Sequence, residues 1–222
     1  MPVSHRLDAL ATIALVAAAT IVASTYVYNS FFREARRTND RVNVVVGKDD
    51  VEKLNQIGRL AFGSENSKNK MYIFEDFECP ACSSFHNTVV RNVESRQKDL
   101  AVYYVPFPLD YHKNAIPTAR AAECIADRHA LVSWMDKLYS AQDELGKRSI
   151  GALAADAGIG DTTRISSCAY DSSLDVRINA GIELGRKIDI PGTPGIVLNG
   201  VLLALIPTEK QLDSILTTKS RD

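Results

Sequence analysis

The chain has 222 residues, 45% of them hydrophobic, which excludes a disordered protein and allows one domain of ordinary size around a real core. Lysine plus arginine (26) nearly balance aspartate plus glutamate (27), for a formal net charge of −1. No large single-sign field draws the chain to nucleic acid or anionic lipid, so a nucleic-acid partner is not expected.

From Leu10 to Tyr28 the sequence reads LATIALVAAATIVASTYVY, without one charged residue. As a helix this run is about 28 Å long, close to the hydrocarbon thickness of a bilayer. Tyr26 and Tyr28 would stand at one interface, where amphipathic rings are favoured. One alternative is a buried core helix, although soluble helices rarely stay apolar all round over such a length. Another is a cleaved signal peptide with Ala17, Ala18 and Ala19 at its cleavage site. The apolar run continues well past those alanines, which suits an uncleaved signal anchor better. Arg33, Arg36, Arg37 and Arg41 follow the span, and by positive charge alone the C-terminal domain would lie inside the cell; the cysteines below point the other way. The expected organisation is an anchor and stalk over 1–40 and a folded domain over 41–222.

Val42 to Val46 is a short β-branched run. In DDVEKLNQIGRLAFG, apolar positions 51, 54, 57, 60 and 61 predict one helix, with Asp49 or Asp50 as N-cap and Gly63 as the stop. MYIFEDF (71–77) has the aromatic and β-branched content of a strand, and a helix should follow Pro80 through Phe85, Val89, Val90 and Val93. LAVYYVPF predicts a second strand ending at Pro106 and Pro108. From Asn114 to about Lys187 the pattern is wholly helical, in five segments of eight residues or more that form an insertion at about 112–188. IPGTPGIVLNGVLLALI follows, with Asn199-Gly200 between two apolar runs as a two-residue type I′ turn, and TEKQLDSILTTK closes as a helix led by Thr208. The order is β-α-β, helical insertion, β-hairpin, α.

The chemistry gathers at FECPACSSFH (77–86). Cys79 ends a strand and precedes Pro80, a residue favoured at the first helical position. Cys79 is then the N-cap, where free backbone N–H groups and the helix dipole favour thiolate over thiol. Cys82, one turn on along the same face, is within disulfide reach and is the natural resolving thiol. A zinc site fits poorly, because Cys124 and Cys168 stand alone rather than as a second close pair. An inert staple between Cys79 and Cys82 would close too short a ring to constrain the unfolded chain much. A redox pair accounts for the strand-to-helix position, the proline and the spacing together.

Glu75, Asp76 and Glu78 crowd this pair. One of the three, Asp76 first, is a candidate acceptor for the Cys82 proton, and His86, one turn past Cys82, a candidate to tune it; the structural alternatives are solvated charges and a packed or exposed helix histidine. Trp134 is read as core, His112 and Lys113 as a solvated helix start.

FEDFECPACSSFH, HKNAIPTARAAECIAD, WMDKLYSAQDEL and DIPGTPGIVLNG together resemble the DsbA-like branch of the thioredoxin-like thiol–disulfide oxidoreductases, from about Lys70 to the C-terminus. The resemblance implies a thioredoxin-like α/β fold with catalytic Cys79 and Cys82, with Pro80 and Ala81 shaping the site. It also implies a cis Pro194 that faces the redox pair and, with Thr193, offers backbone to an extended substrate. Some members of that branch carry a second bridge, which here would join Cys124 to Cys168; the alternative is two buried free thiols. Such a bridge needs an oxidising compartment, in keeping with an exported domain. The implied partners are thiol-containing substrate proteins and a membrane redox protein that recycles the pair. No cofactor and no metal are expected. The function expected is that of an extracytoplasmic oxidase, the alternatives being a reductase or isomerase of the same fold and a non-enzymatic tethered binding module.

Overall fold

The computed structural model describes residues 21–25, 43–96 and 99–218. Residues 21–25 are helical; the remainder of the expected span Leu10–Tyr28 and the stalk lie outside the described residues. Among the described residues no helix is long and apolar enough to cross a membrane.

Six strands make one sheet in the order β1-β6-β5-β3-β4-β2. They are β1 (Val44–Val45), β2 (Arg59–Phe62), β3 (Asn69–Glu75), β4 (Leu100–Pro106), β5 (Gly195–Leu198) and β6 (Val201–Leu202). β3 and β4 are parallel, and every other pairing is antiparallel. Parallel neighbours need a crossover. Here it is α2 (Pro80–Phe85), which runs through a π turn at His86–Val90 into α3 (Arg91–Arg96).

The alternation of β3 builds two cores. Met71 and Ile73 face a cluster with Cys79, Cys82, Phe85 and Val90 of the crossover, Trp134 and Leu138 of the insertion, and Leu212 and Leu216 of the last helix. Tyr72 and Phe74 face the other side, with Leu54 of α1 (Lys48–Ile57) and Leu184. Helices therefore cover both faces of the sheet, and β3, buried on both sides, reads as a continuous apolar run.

One expected helix is really two elements. α1 stops at Ile57, where the Gly58 N–H bonds to Leu54 O, and Arg59–Phe62 turns back as edge strand β2 against Tyr103 and Tyr104. Leu60 and Ala61 fit helical spacing only by coincidence with a half-buried strand. The Arg59 guanidinium explains the strand's place: it donates to the carbonyls of Ala122 and Ile125 and so ties this edge to the insertion.

The insertion holds five helices: α4 (Ala115–Glu123), α5 (Arg128–Ser140), α6 (Ile150–Asp156), α7 (Thr162–Cys168) and α8 (Asp175–Lys187). α6 and α7 have 7 residues each, shorter than expected, because Ser149 and Asp161 side chains cap their N-termini and Gly158, at φ 74°, separates them. α8 can approach β4 because Gly181 is bare; a Cβ there would lie 2.2 Å from the Pro106 carbonyl oxygen. A disulfide joins Cys124 to Cys168.

Asn199 (φ 51°) and Gly200 (φ 78°) turn β5 into β6 with both central residues left-handed, as a type I′ turn requires. The last helix, α9 (Glu209–Thr218), starts from a reciprocal cap in which Thr208 N–H donates to Gln211 Oε1 at 2.8 Å and Gln211 N–H to Thr208 Oγ1 at 3.4 Å.

Candidate active site

Cys79 is the N-cap of α2 with Pro80 at the first helical position, but it does not itself end the strand as expected: β3 stops at Glu75, and residues 76–78 turn the chain into the helix. Both Cys79 and Cys82 are free thiols. Cys79 keeps 7% of its surface exposed and Cys82 none, so a partner sulfur can reach only the first of them. Gln142 holds the approach to the helix open-handed, its Nε2 donating to Phe77 O at 2.8 Å and Cys79 O at 2.9 Å. On the other side, Cys79 Sγ lies 3.3 Å from the carbonyl oxygen of Thr193, and the Thr193–Pro194 bond is cis.

The two sulfurs differ sharply in acidity. Hydrogen bonding from the Cys82 thiol, with smaller contributions from the Thr193 side chain nearby and the backbone N–H groups of Cys82 and Ala81, outweighs burial and lowers Cys79 to about 5. Burial first, then the thiol's hydrogen bond to Cys79 and the charges of Glu75 and Cys79, push Cys82 far above the ordinary thiol range. At neutral pH one sulfur is a thiolate and the other holds its proton.

The carboxylates beside the pair have separate tasks. Asp76, expected as acceptor of the Cys82 proton, is spent on the backbone: Oδ1 accepts from Glu78 N at 2.8 Å, and Oδ2 from Leu109 N and His112 Nδ1, both at 2.8 Å. His112 is accordingly part of this clamp rather than a solvated helix start. Glu78 accepts from Asn114 N at 2.6 Å and Nδ2 at 3.1 Å, so it too fastens the site to the insertion.

Glu75 is the carboxylate that sequence reasoning named with the other two but ranked behind Asp76. It is 1% exposed, and neither carboxylate oxygen has a hydrogen-bond partner among the described residues. Burial first, opposed by the nearby Tyr139 hydroxyl and reinforced by the Cys79 charge, raises it to about 8. The missed signal was period two: Met71, Ile73 and Glu75 share one face of β3, the face against which the two cysteines pack.

His86 is fully buried, its Nε2 2.7 Å from Asp136 Oδ1 on α5 and its ring centroid 4.8 Å from that of Tyr139. Trp134 is core, with Nε1 donating to Thr118 O at 3.4 Å. Cys124 and Cys168, bonded to each other, are not available to Cys79 and Cys82 as further ligands for zinc. Pro80 and Ala81 occupy the first turn of α2 between the cysteines, as their sequence positions require.

The family profile described as Thioredoxin matches residues 55–218. The chain belongs to the thioredoxin family. No curated protein matches it. Solved structures of similar fold include BdbD from Bacillus subtilis in its oxidised form, 16% identical over 75% of this chain and 95% of that one, with a TM-score of 0.66. The thiol-disulfide exchange protein alpha-DsbA2 from Wolbachia pipientis is 16% identical over 83% and 98%, TM-score 0.66. DsbA2 from Pseudomonas aeruginosa is 22% identical over 74% and 96%, TM-score 0.59. Within the thioredoxin family, then, the expected likeness in fold to DsbA proteins with a helical insertion is borne out.

Proposed function

We propose that this member of the thioredoxin family is a protein thiol–disulfide oxidoreductase that works as an oxidase. The observation that carries the reading is the split between an accessible sulfur lowered to about 5 and a buried neighbour raised far above the thiol range. A substrate thiolate attacks Cys79 Sγ of the Cys79–Cys82 disulfide, and Cys82 leaves. A second substrate thiolate then attacks the mixed disulfide, expelling Cys79 as thiolate and leaving the substrate oxidised. Because the stabilised Cys79 thiolate belongs to the reduced form, it favours the dithiol and makes the disulfide oxidising.

Cys82 needs a proton as it leaves, and Glu75 is the carboxyl placed to give it: raised to about 8, it is protonated at neutral pH and lies under the pair without another bond to keep. Thr193 and Pro194, beside Cys79, offer backbone to an extended substrate segment. The Cys124–Cys168 bond supports an oxidising compartment. The uncharged run Leu10 to Tyr28 supports a membrane anchor that exports the domain, and with it recycling by a membrane redox partner. Protease accessibility of the domain in intact cells tests the export.

Two measurements test the chemistry. A Cys82→Ser variant should accumulate mixed disulfides through Cys79, and a Cys79→Ser variant should lose activity; retention of function by the latter would mark a binding module. The reduction potential decides direction: a value near −180 mV or above supports oxidation, and one near the thioredoxin value of about −270 mV reassigns the protein to reduction.

A further inference from the structure

Glu75, if it gives its proton to Cys82 in every turnover, must be reloaded, and it is sealed from water. Close to it the fold leaves a chain of buried polar atoms unspent. The Tyr139 hydroxyl, fully buried, has no hydrogen-bond partner among the described residues, and neither has His86 Nδ1. The rings of these two residues lie 4.8 Å apart. At the far side of the imidazole, Nε2 meets Asp136 Oδ1 at 2.7 Å, and Asp136 is 39% exposed. Unpaired polar atoms in an interior are uncommon and costly, so two in sequence between a buried carboxyl and a surface carboxylate call for a reason. The π turn at His86–Val90 adds a second observation, because a π turn is rare and interrupts α2 at the very residue that is turned inward.

We propose that Tyr139, His86 and Asp136 form a proton relay that connects Glu75 to solvent. The inference rests on the oxidoreductase reading above. An imidazole can take a proton at one ring nitrogen and release it from the other, and a phenol hydroxyl can accept on one side and donate on the other. When substrate reduces the pair, the Cys79–Cys82 bond breaks, a bond forms between Cys79 and the substrate sulfur, and the electron pair left on Cys82 takes the proton of Glu75. Tyr139 passes a proton to the Glu75 carboxylate and recovers one from His86 Nδ1, and Nε2 is refilled at Asp136 from water. Completion of the exchange removes two electrons from the substrate and places them on the pair, with one net proton on Cys82. Reoxidation runs the path outward. Tyr139, His86 and Asp136 touch no reacting atom and act through Glu75. Tyr139 stays neutral throughout, since burial raises it well above the ordinary phenol range. Arg91, whose Nε lies 3.6 Å from Asp136 Oδ1, keeps that carboxylate placed.

The test is the rate at which dithiothreitol reduces the purified Cys79–Cys82 disulfide, in H2O and in D2O. Tyr139→Phe removes the hydroxyl and keeps the ring, and Asp136→Asn changes only the partly exposed end, so its folding is secure. Each should slow reduction about tenfold, less than the roughly 10²–10⁴ that a donor in contact with the reacting atom contributes because Glu75 itself is kept, and enlarge the solvent isotope effect, while the midpoint for Cys79 alkylation stays near that of the wild type. Added imidazole buffer should restore Asp136→Asn, which a purely structural lesion would not permit. Wild-type rates and isotope effects in both variants, or an Asp136→Asn defect indifferent to buffer, would overturn the relay and leave the oxidoreductase standing. A wild-type disulfide inert to thiols would sink both.

Discussion

Cys79 Sγ and the carbonyl oxygen of Thr193 meet at 3.3 Å although 114 residues separate them in sequence. The contact closes the α2 N-terminus against the loop that leads into β5, so the more exposed sulfur of the pair and the cis-proline loop beside it are delivered by different ends of the fold. Everything that shifts one shifts the other.

The acidity of Cys79 depends first on its neighbour. Alkylation of the reduced protein should titrate with a midpoint near 5, and Cys82→Ala, which removes the first of the hydrogen bonds that lower it, should move that midpoint upward. A midpoint that stays near 5 in the variant would assign the effect to the helix N-terminus alone.

Glu75 makes stability depend on pH in a definite direction. Its folded value of about 8 lies above the ordinary 4.5, so the folded state holds the extra proton between them. The reduced protein therefore loses stability as pH rises from 4.5 through 8, and below 4.5 the penalty vanishes. Glu75→Gln should be more stable than wild type by a few kcal/mol at pH 9, at ~1.4 kcal/mol per unit of displacement, and should converge with it at pH 4. Urea unfolding across that range checks the sign. The same variant should slow reduction of the disulfide, since glutamine has no proton to give.

The Cys124–Cys168 bond spans 44 residues of sequence. Replacing both by alanine should lower the free energy of unfolding by about 4 kcal/mol on chain-entropy grounds, and leave the Cys79 alkylation midpoint unchanged.

Asp76 should behave as a clamp. Asp76→Ala removes acceptors from Glu78 N, Leu109 N and His112 together, and a cost of about 2 to 4 kcal/mol follows from the buried donors left unpaired. Thermal unfolding would register it, and an isotope effect on disulfide reduction equal to that of the wild type would separate it from Glu75.

The redox pair was legible because its signals are local: a strand's end, a proline and a spacing of three all sit within one turn. The Asn199-Gly200 turn was legible for the same reason, since two adjacent residues must both accept positive φ. Glu75 and Asp76 were not told apart by charge, being neighbours, and only the end of β3 between them sends one under the cysteines and the other toward His112. β2 escaped because Leu60 and Ala61 satisfy helical spacing; what decides their fate is Arg59 finding two carbonyls of the insertion, more than sixty residues away. His86 was legible as a packed helix histidine, but its partner was not, because Asp136 lies on another helix.

The margins of the sheet carry one more consequence. One outer strand, β1, is only 2 residues long, and the other, β2, is broken by a bulge between Leu60 and Phe62 and pinned by Arg59. Among the described residues neither rim presents a long flat row of free amides on which a foreign chain could dock and spread. A sheet guarded in this way resists strand-by-strand growth onto exposed strands of other chains.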